Sequence, residues 1–393
     1  MNILVAAREY PPFGVGGVAR HTFYLVKYLK KLGVSCKVLS FGDPKCSRDD
    51  VVFVKPSSSI ISRSNRPLAH DARIPLDILR LTKVARELIK NRSFDIIHIE
   101  EPYVGAFVTH ERKVTTVHDT SYGELKSILH SPINPPNIKR ALFYILLGFW
   151  LERVCIATSK IVIVPYKHVK EELVRVYGTR EEMIRVIRNG LELPVSCSSD
   201  DKAEAKKILA LPTDELLIFA AAQHVARKRL DTLVEAVRLL REEGVEGFRV
   251  VIAGDGPVRP YILNLVGKYG LEKYVHLPGW VSENQLVLYY MAADVFAMTS
   301  EYEAGPISLL EAMSFGAAIV SSMIDGFPRL MRDGVEALLF PVGDYRALSD
   351  HLRRLLNDGH MRARLSSSAR LFVRRFDWKS VAEETKHLYG DML

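Results

Sequence analysis

Cysteine is scarce in this chain of 393 residues: Cys36, Cys46, Cys155 and Cys197 are the only four, and none belongs to a CxxC pair. So few thiols exclude a disulfide framework and suit a reducing compartment, so a cytoplasmic protein is the expectation. Long apolar runs are missing too. The most apolar later stretch, 141–151, is bracketed by Lys139, Arg140, Glu152 and Arg153 and falls short of the roughly 20 residues that span a bilayer. The run 1–7 is too short for a signal-peptide core and is followed at once by Arg8 and Glu9, so it reads as a buried first strand. No Asp-x-Asp triplet occurs, and the first Gly-rich loop is not GxGxxG, which argues against a dehydrogenase. Short repeats and low-complexity tracts are also absent.

What remains is an ordinary globular composition, 48% hydrophobic and 25% charged, on a chain long enough for two cores. Short β-rich runs alternate with segments of helical period, the pattern of parallel sheets with crossover helices. Strands are expected at 3–7, 34–41, 94–99, 113–118, 161–165 and 184–187. A turn at Asn189-Gly190 and a Ser- and Asp-rich segment follow, and the alternation restarts at 216–222. Further strands are expected at 249–253, 274–277, 295–298, 317–321 and 337–340. The fold class is therefore α/β, with two Rossmann-like lobes at 1–188 and 189–372 and a C-terminal segment, 373–393, that crosses back to the first lobe. Ligands of open parallel sheets bind beyond the carboxyl ends of the strands, so the chemistry is expected in the strand-to-helix loops lining a cleft.

Three such loops carry chemistry. The first, Tyr10-Pro11-Pro12-Phe13-Gly14-Val15-Gly16-Gly17, offers backbone N–H groups and a helix N-terminus to a phosphate, with a ligand-free tight turn as the alternative. In the second, Gln223-His224-Val225-Ala226-Arg227-Lys228-Arg229, three successive cations oppose a helix macrodipole unless an anion sits between them. A diphosphate is the natural anion, and three solvated cations are the alternative. In the third, Glu303 lies in the loop before a helix opened by Pro306, and Glu311 lies inside that helix between apolar neighbours. Sugar hydroxyls suit Glu311, and N–H groups around Gly305 suit a phosphate or a sugar; an internal salt bridge is the alternative for Glu311.

These residues resemble the retaining glycosyltransferases of family 4, of GT-B fold. The resemblance rests on Glu303 and Glu311 with seven residues between them, on Ala312-Met313-Ser314-Phe315-Gly316, and on Asp95-Ile96-Ile97-His98 and Thr116-Val117-His118-Asp119. Gly254-Asp255-Gly256-Pro257, Pro341-Val342-Gly343-Asp344 and Phe376-Asp377-Trp378 extend it over nearly the whole chain. It implies that Lys228 binds the donor diphosphate, Glu311 the ribose and Glu303 the transferred hexose, with His118 facing the sugar from the acceptor side. Catalytic roles are thus expected for His118, Lys228 and Glu303, and donor contacts for Gly16, Gly17, Arg227, Lys228, Gly305, Pro306, Ile307 and Glu311. The family pattern has Arg where Gln223 stands, Gly where Arg229 stands and often Glu where Arg329 stands, so Arg227 or Arg229 is expected to share the diphosphate charge.

The implied reaction is transfer of a hexose from a UDP-, GDP- or ADP-sugar with retention, by front-face displacement and without a metal or other cofactor. A non-catalytic nucleotide-sugar-binding module and another GT-B enzyme, such as a sugar-nucleotide epimerase, are the competing readings. Residues 1–188 hold 30 Lys and Arg against 18 Asp and Glu, whereas the remainder is mildly acidic. That asymmetry points to an anionic or lipid-linked acceptor and peripheral contact with an anionic membrane at its inner face, not to nucleic acid. The segment 137–153 is read first as a buried helix, with lipid contact as the alternative.

Overall fold

The structure is a computed structural model that describes residues 1–14, 17–57, 74–129, 138, 141–192, 199–303, 306–324 and 327–393. It divides into two compact units, one of Met1–Glu192 with Phe376–Leu393 and the other of Leu193–Arg375.

The first unit is built on seven parallel strands: β1 (Asn2–Ala6), β2 (Ser35–Phe41), β3 (Val51–Val54), β4 (Ile96–Ile99), β5 (Lys113–Thr116), β6 (Ile161–Val164) and β7 (Ile184–Val186). They are ordered β3-β2-β1-β4-β5-β6-β7. Ile3, Leu4, Val5 and Ala6 are buried on both faces of the sheet, which is why the strand reads as an unbroken apolar run. Helix Gly17–Lys31 covers one face through Thr22, Leu25, Val26 and Leu29. The strand β3 was not among the sequence expectations: four residues, Val-Val-Phe-Val, beside a run of charges carry too little pattern to stand out. Helix Trp378–Gly390 packs on the first helix within this unit, and Trp378, Val381, Ala382 and Tyr389 join its core.

Asn189-Gly190 is not used as a turn. Leu191 forms a bridge to Asp377 and donates its N–H to Phe376 O at 2.7 Å. A Cβ on Gly190 would lie 2.5 Å from the Trp378 ring, so the glycine serves the close approach of the indole.

The second unit has six parallel strands: β8 (Leu216–Ala221), β9 (Phe248–Ala253), β10 (Val275–Gly279), β11 (Val295–Met298), β12 (Ala318–Ser322) and β13 (Leu338–Phe340). Their order is β10-β9-β8-β11-β12-β13. Helix Leu230–Glu242 seals one face with Leu233, Val234, Val237 and Leu240. In each sheet the strand order reverses at one place, between β1 and β4 and between β8 and β11, and these switch points are where open α/β sheets receive ligands.

The segment around 141–157 departs from expectation. Leu151, Cys155 and Ile156 are buried, but Leu142, Ile145, Leu146 and Trp150 are exposed, so the helix is buried along one side only. No helix among the described residues is long and apolar enough to cross a membrane.

Candidate functional site

At the switch point of the second sheet, the loop after β8 and the loop after β11 meet. Arg227 and Lys228 occupy a 3-10 turn, Ala226–Lys228, ahead of helix Leu230–Glu242. Both reach Glu303: Arg227 Nη1 lies 3.2 Å from Oε2, and Lys228 Nζ pairs with Oε1. Ser300 Oγ donates to the same Oε1 at 2.7 Å, and Arg227 Nη1 also donates to Tyr302 O at 3.0 Å. The two loops are laced by Glu301 N to Arg227 O at 2.8 Å and Thr299 Oγ1 to Lys228 O at 2.7 Å. Burial of Glu303 would raise its pKa, but Lys228 and Arg227, with the hydrogen bonds, override it and hold the carboxyl down at about 2. The anion demanded by the cation run is thus supplied by the protein's own Glu303.

Arg229 is turned elsewhere. Its Nη2 lies 3.2 Å from Asp231 Oδ2 and its Nη1 3.9 Å from Glu301 Oε2. Its backbone is left-handed, φ 45° and ψ 44°, which gives a physical reason for glycine being the family residue at this position. Of the two arginines, Arg227 groups with Lys228, and Arg229 does not.

The loop after β8 rests on Gly254-Asp255-Gly256. Both glycines have positive φ, and a Cβ at Gly254 or Gly256 would lie 1.9 Å from Ala222 O or 2.4 Å from His224 O. His224 N donates to Asp255 O at 2.9 Å, and Val258 N to His224 O at 3.0 Å. The His224 ring is buried, which lowers its pKa to about 4. This motif therefore supports the cationic loop from the neighbouring strand.

Pro306 caps helix Ile307–Phe315, and Glu311 is buried within that helix. Ile307 is half-buried and Gln223 is exposed. Arg329 is exposed on the 3-10 turn Phe327–Leu330. Gly16 and Gly305 lie outside the described residues, whereas Gly17 is the exposed first residue of its helix.

At the switch point of the first sheet, Arg8 after β1 meets the residues after β4. Its Nη2 lies 3.2 Å from Glu101 Oε1, its Nε 3.5 Å from Glu9 Oε1, and its Nη1 donates to Tyr103 OH at 2.7 Å. Beside this, fully buried Glu100 collects three histidines. His118 Nε2 lies 3.0 Å from Oε2, His21 Nε2 3.7 Å from the same oxygen, and His98 Nε2 3.5 Å from Oε1. Burial opposes the charge on Glu100, but His98, His21 and His118 bring its pKa down to about 2. Burial lowers His21 to about 3.

His98 Nε2 is also 2.7 Å from Thr116 Oγ1, and its Nδ1 is 2.5 Å from Tyr389 OH. The His21 ring sits edge-on between those of His118 and Trp378, at 4.5 Å and 5.0 Å. Both ends of the C-terminal helix thus touch this cluster. His21, Glu100 and His118 offer three ligand atoms within 4.8 Å of one another and could hold a metal ion. Sequence reasoning singled out His118 but missed Glu100, His21, Arg8 and Ser300. Only the tertiary fold brings them together, although the charged Glu100-Glu101 pair ending an apolar strand was a usable signal.

Residues 201–372 match the family model described as glycosyl transferases group 1, and residues 15–193 the model described as glycosyltransferase family 4. An uncharacterized glycosyltransferase of Methanocaldococcus jannaschii, MJ1607, is 25% identical, covering 99% of this chain and 98% of its own. The phosphatidyl-myo-inositol mannosyltransferase of Mycobacterium leprae is 25% identical over 95% of this chain and 92% of its own. Among solved structures, sucrose-phosphate synthase from Thermosynechococcus elongatus superposes with a TM-score of 0.80 at 20% identity, covering 100% of this chain and 99% of that one. Anabaena Alr3699/HepE in complex with UDP and glucose does so with a TM-score of 0.75 at 18% identity, covering 100% of both chains. These likenesses show the GT-B fold.

Proposed function

Because the chain belongs to glycosyltransferase family 4, we propose that it transfers a hexose from a nucleoside-diphosphate sugar to an acceptor hydroxyl with retention of anomeric configuration. The observation that carries this reading is the Arg227–Glu303–Lys228 group at the switch point of the second sheet. A buried carboxylate with two cations is a poor device for stability alone, because desolvation offsets much of the attraction. It is a good device for an exchangeable anion site. A donor diphosphate competes for Lys228 and Arg227, and Glu303 is then released toward the hydroxyls of the transferred hexose. Glu311 takes the ribose hydroxyls. Pro306, Ile307 and the N–H groups at the start of their helix receive phosphate or sugar oxygens, and Gly17 opens the corresponding helix of the first unit. A donor of this kind also fits the UDP and glucose named with the Anabaena structure.

In the reaction the bond from the anomeric carbon to the diphosphate oxygen breaks, and a bond from the acceptor oxygen forms on the same face. The acceptor proton passes to the departing phosphate oxygen. Lys228, Arg227 and the helix N-terminus stabilise the charge that develops there, so electrostatics and positioning carry the catalysis and no metal is required. His118 faces the sugar from the acceptor side. The excess cations of residues 1–188 favour an anionic or lipid-linked acceptor, a class that includes the acceptor named for the M. leprae relative.

The reading is tested by incubating the protein with UDP-, GDP- and ADP-hexoses and following nucleoside diphosphate release, after a thermal-shift screen with the free diphosphates. One diphosphate is expected to stabilise the protein, and the product should keep the donor's anomeric configuration in its proton coupling. An inverted product removes the retaining mechanism. Conversion of the donor sugar without an acceptor favours an epimerase instead.

A further inference from the structure

Helix Phe149–Ala157 and the π turn Tyr144–Gly148 before it bury Gly148, Leu151, Cys155 and Ile156 against the first unit. On the other side, Leu142, Ile145, Leu146 and Trp150 each leave half or more of their surface in solvent, 73% for Leu146. Single exposed apolar residues are ordinary, but four large ones within nine positions of one helical segment are not.

The stripe does not end with its own helix. The Trp150 ring lies 5.9 Å from that of Phe107. Phe107 in turn lines a groove of about 390 Å³ along helix Ile74–Asn91, together with Leu79. The walls of that groove are basic: Lys83, Arg86 and Lys90 line it against the single acid Glu87. The surface thus combines an apolar stripe with a cationic margin, in the half of the chain that carries 30 cations against 18 anions up to residue 188.

We infer that this face docks on an anionic lipid bilayer, with Leu142, Ile145, Leu146 and Trp150 entering the headgroup boundary and Lys83 and Lys90 meeting lipid phosphates. The chemistry selects this occupant. Apolar side chains partition into the interface, a Trp is suited to its depth, and lysines at the margin add attraction to anionic headgroups that salt screens. A soluble anionic partner would need the cations but not the stripe. The inference deepens the lipid-linked acceptor proposed above, by naming the surface that brings the protein to it, and rests on that reading for its purpose.

The test is flotation of the full chain with phosphatidylcholine vesicles, with and without phosphatidylglycerol, at low and high salt. Circular dichroism and stabilisation by nucleoside diphosphate serve as controls for each variant. The protein is expected to float with the anionic vesicles at low salt and to be released by high salt. Leu146→Glu should lower the partition about tenfold, whereas Lys83→Gln with Lys90→Gln should flatten its dependence on salt and on anionic lipid. Tryptophan emission should shift to the blue on binding, and Trp150→Ser should abolish the shift, because Trp378 is already buried and Trp280, though exposed, belongs to the second unit and is not part of this face. Equal indifference to both vesicles, or full binding by Leu146→Glu, overturns the inference. So does a wild-type dimer that Leu146→Glu dissociates without any vesicle binding, since a second copy then covers the face. Loss of diphosphate stabilisation in the wild-type protein would instead count against the proposed transfer reaction and leave the docking result standing.

Discussion

His118 donates from Nε2 to Oε2 of Glu100 across 3.0 Å. Glu100 is fully buried and its pKa is held down at about 2, so it is an acceptor at neutral pH and Nε2 must carry the proton. In the neutral form of the ring the lone pair then lies on Nδ1. Glu100→Gln removes the charge that selects this tautomer while keeping the size of the side chain. Turnover is expected to fall about ten- to a hundredfold with the KM for donor little changed. A variant with wild-type kcat, or one whose loss lies in donor KM, removes this role.

Lys228, Glu303 and Glu311 should separate kinetically. Lys228→Ala and Glu303→Gln are expected to lower kcat more than they weaken donor binding, because the proposed reaction has both act on charge and orientation in the transition state. Glu311→Ala should raise donor KM with a smaller effect on kcat. The size expected for Lys228→Ala is about a hundredfold or more in kcat. Wild-type turnover in that variant would end the diphosphate role.

The charge on the leaving group is met in this reading by Arg227, Lys228 and backbone N–H groups. Turnover should therefore survive EDTA dialysis unchanged. Activity that collapses in EDTA and returns with magnesium or manganese would show that the cationic loop is insufficient.

Glu152, which is not part of the site, gives a pH dependence of its own. Burial pushes its pKa up to about 7, although Tyr177 OH at 2.5 Å and Ser121 N at 2.9 Å donate to it. The folded protein keeps this proton up to near neutrality, whereas the unfolded chain releases it near 4.3. The folded state therefore binds more protons across that window, and the contribution is lost as pH rises through it, on the order of 3 kcal/mol in all. Glu152→Gln keeps an acceptor for both donors without the charge. Its Tm should exceed that of the wild type by roughly 5 °C at pH 8 and match it at pH 4. An equal gap at both pH values would mean that packing, not ionisation, accounts for the difference.

Much of the fold was written locally. Strands such as 295–298 and 161–164 are apolar on both faces, and helix faces such as Leu233, Val234, Val237 and Leu240 repeat at helical period, so both can be read without tertiary knowledge. The Glu303 and Lys228 loops were legible for the same reason, each being a short charged motif at the end of a strand. Their pairing was not. Residues 75 positions apart meet only because β8 and β11 are neighbours, and that adjacency belongs to sheet order. The four-membered group of Glu100, His21, His98 and His118 was hidden likewise, since its members come from helix Gly17–Lys31, from β4, from the loop after β4 and from the loop after β5. The exposure of Leu146 was misjudged because an apolar stripe turned to solvent has the same sequence as one turned to a core.

The two passages of the chain that meet at Leu191 and Asp377 are also held by the close approach of Gly190 and Trp378. Gly190 lies under Trp378, and a Cβ there would come within 2.5 Å of Cδ2 and 2.7 Å of Cε3. Gly190 does not have positive φ, so Gly190→Ala carries no backbone penalty of that kind and its cost is the overlap, about 1–3 kcal/mol. Trp378→Leu frees the space, so the double variant should be more stable than the two single changes summed, with a coupling of about 1 kcal/mol. The effect should also reach the cluster, because Trp378 is in edge contact with His21 and His21 with His118. Gly190→Ala is therefore expected to lower kcat at temperatures where circular dichroism shows the protein fully folded, and to move the emission of Trp378. Additive stabilities, together with unchanged turnover, would show that the indole adjusts freely and that the C-terminal helix has no part in placing His118.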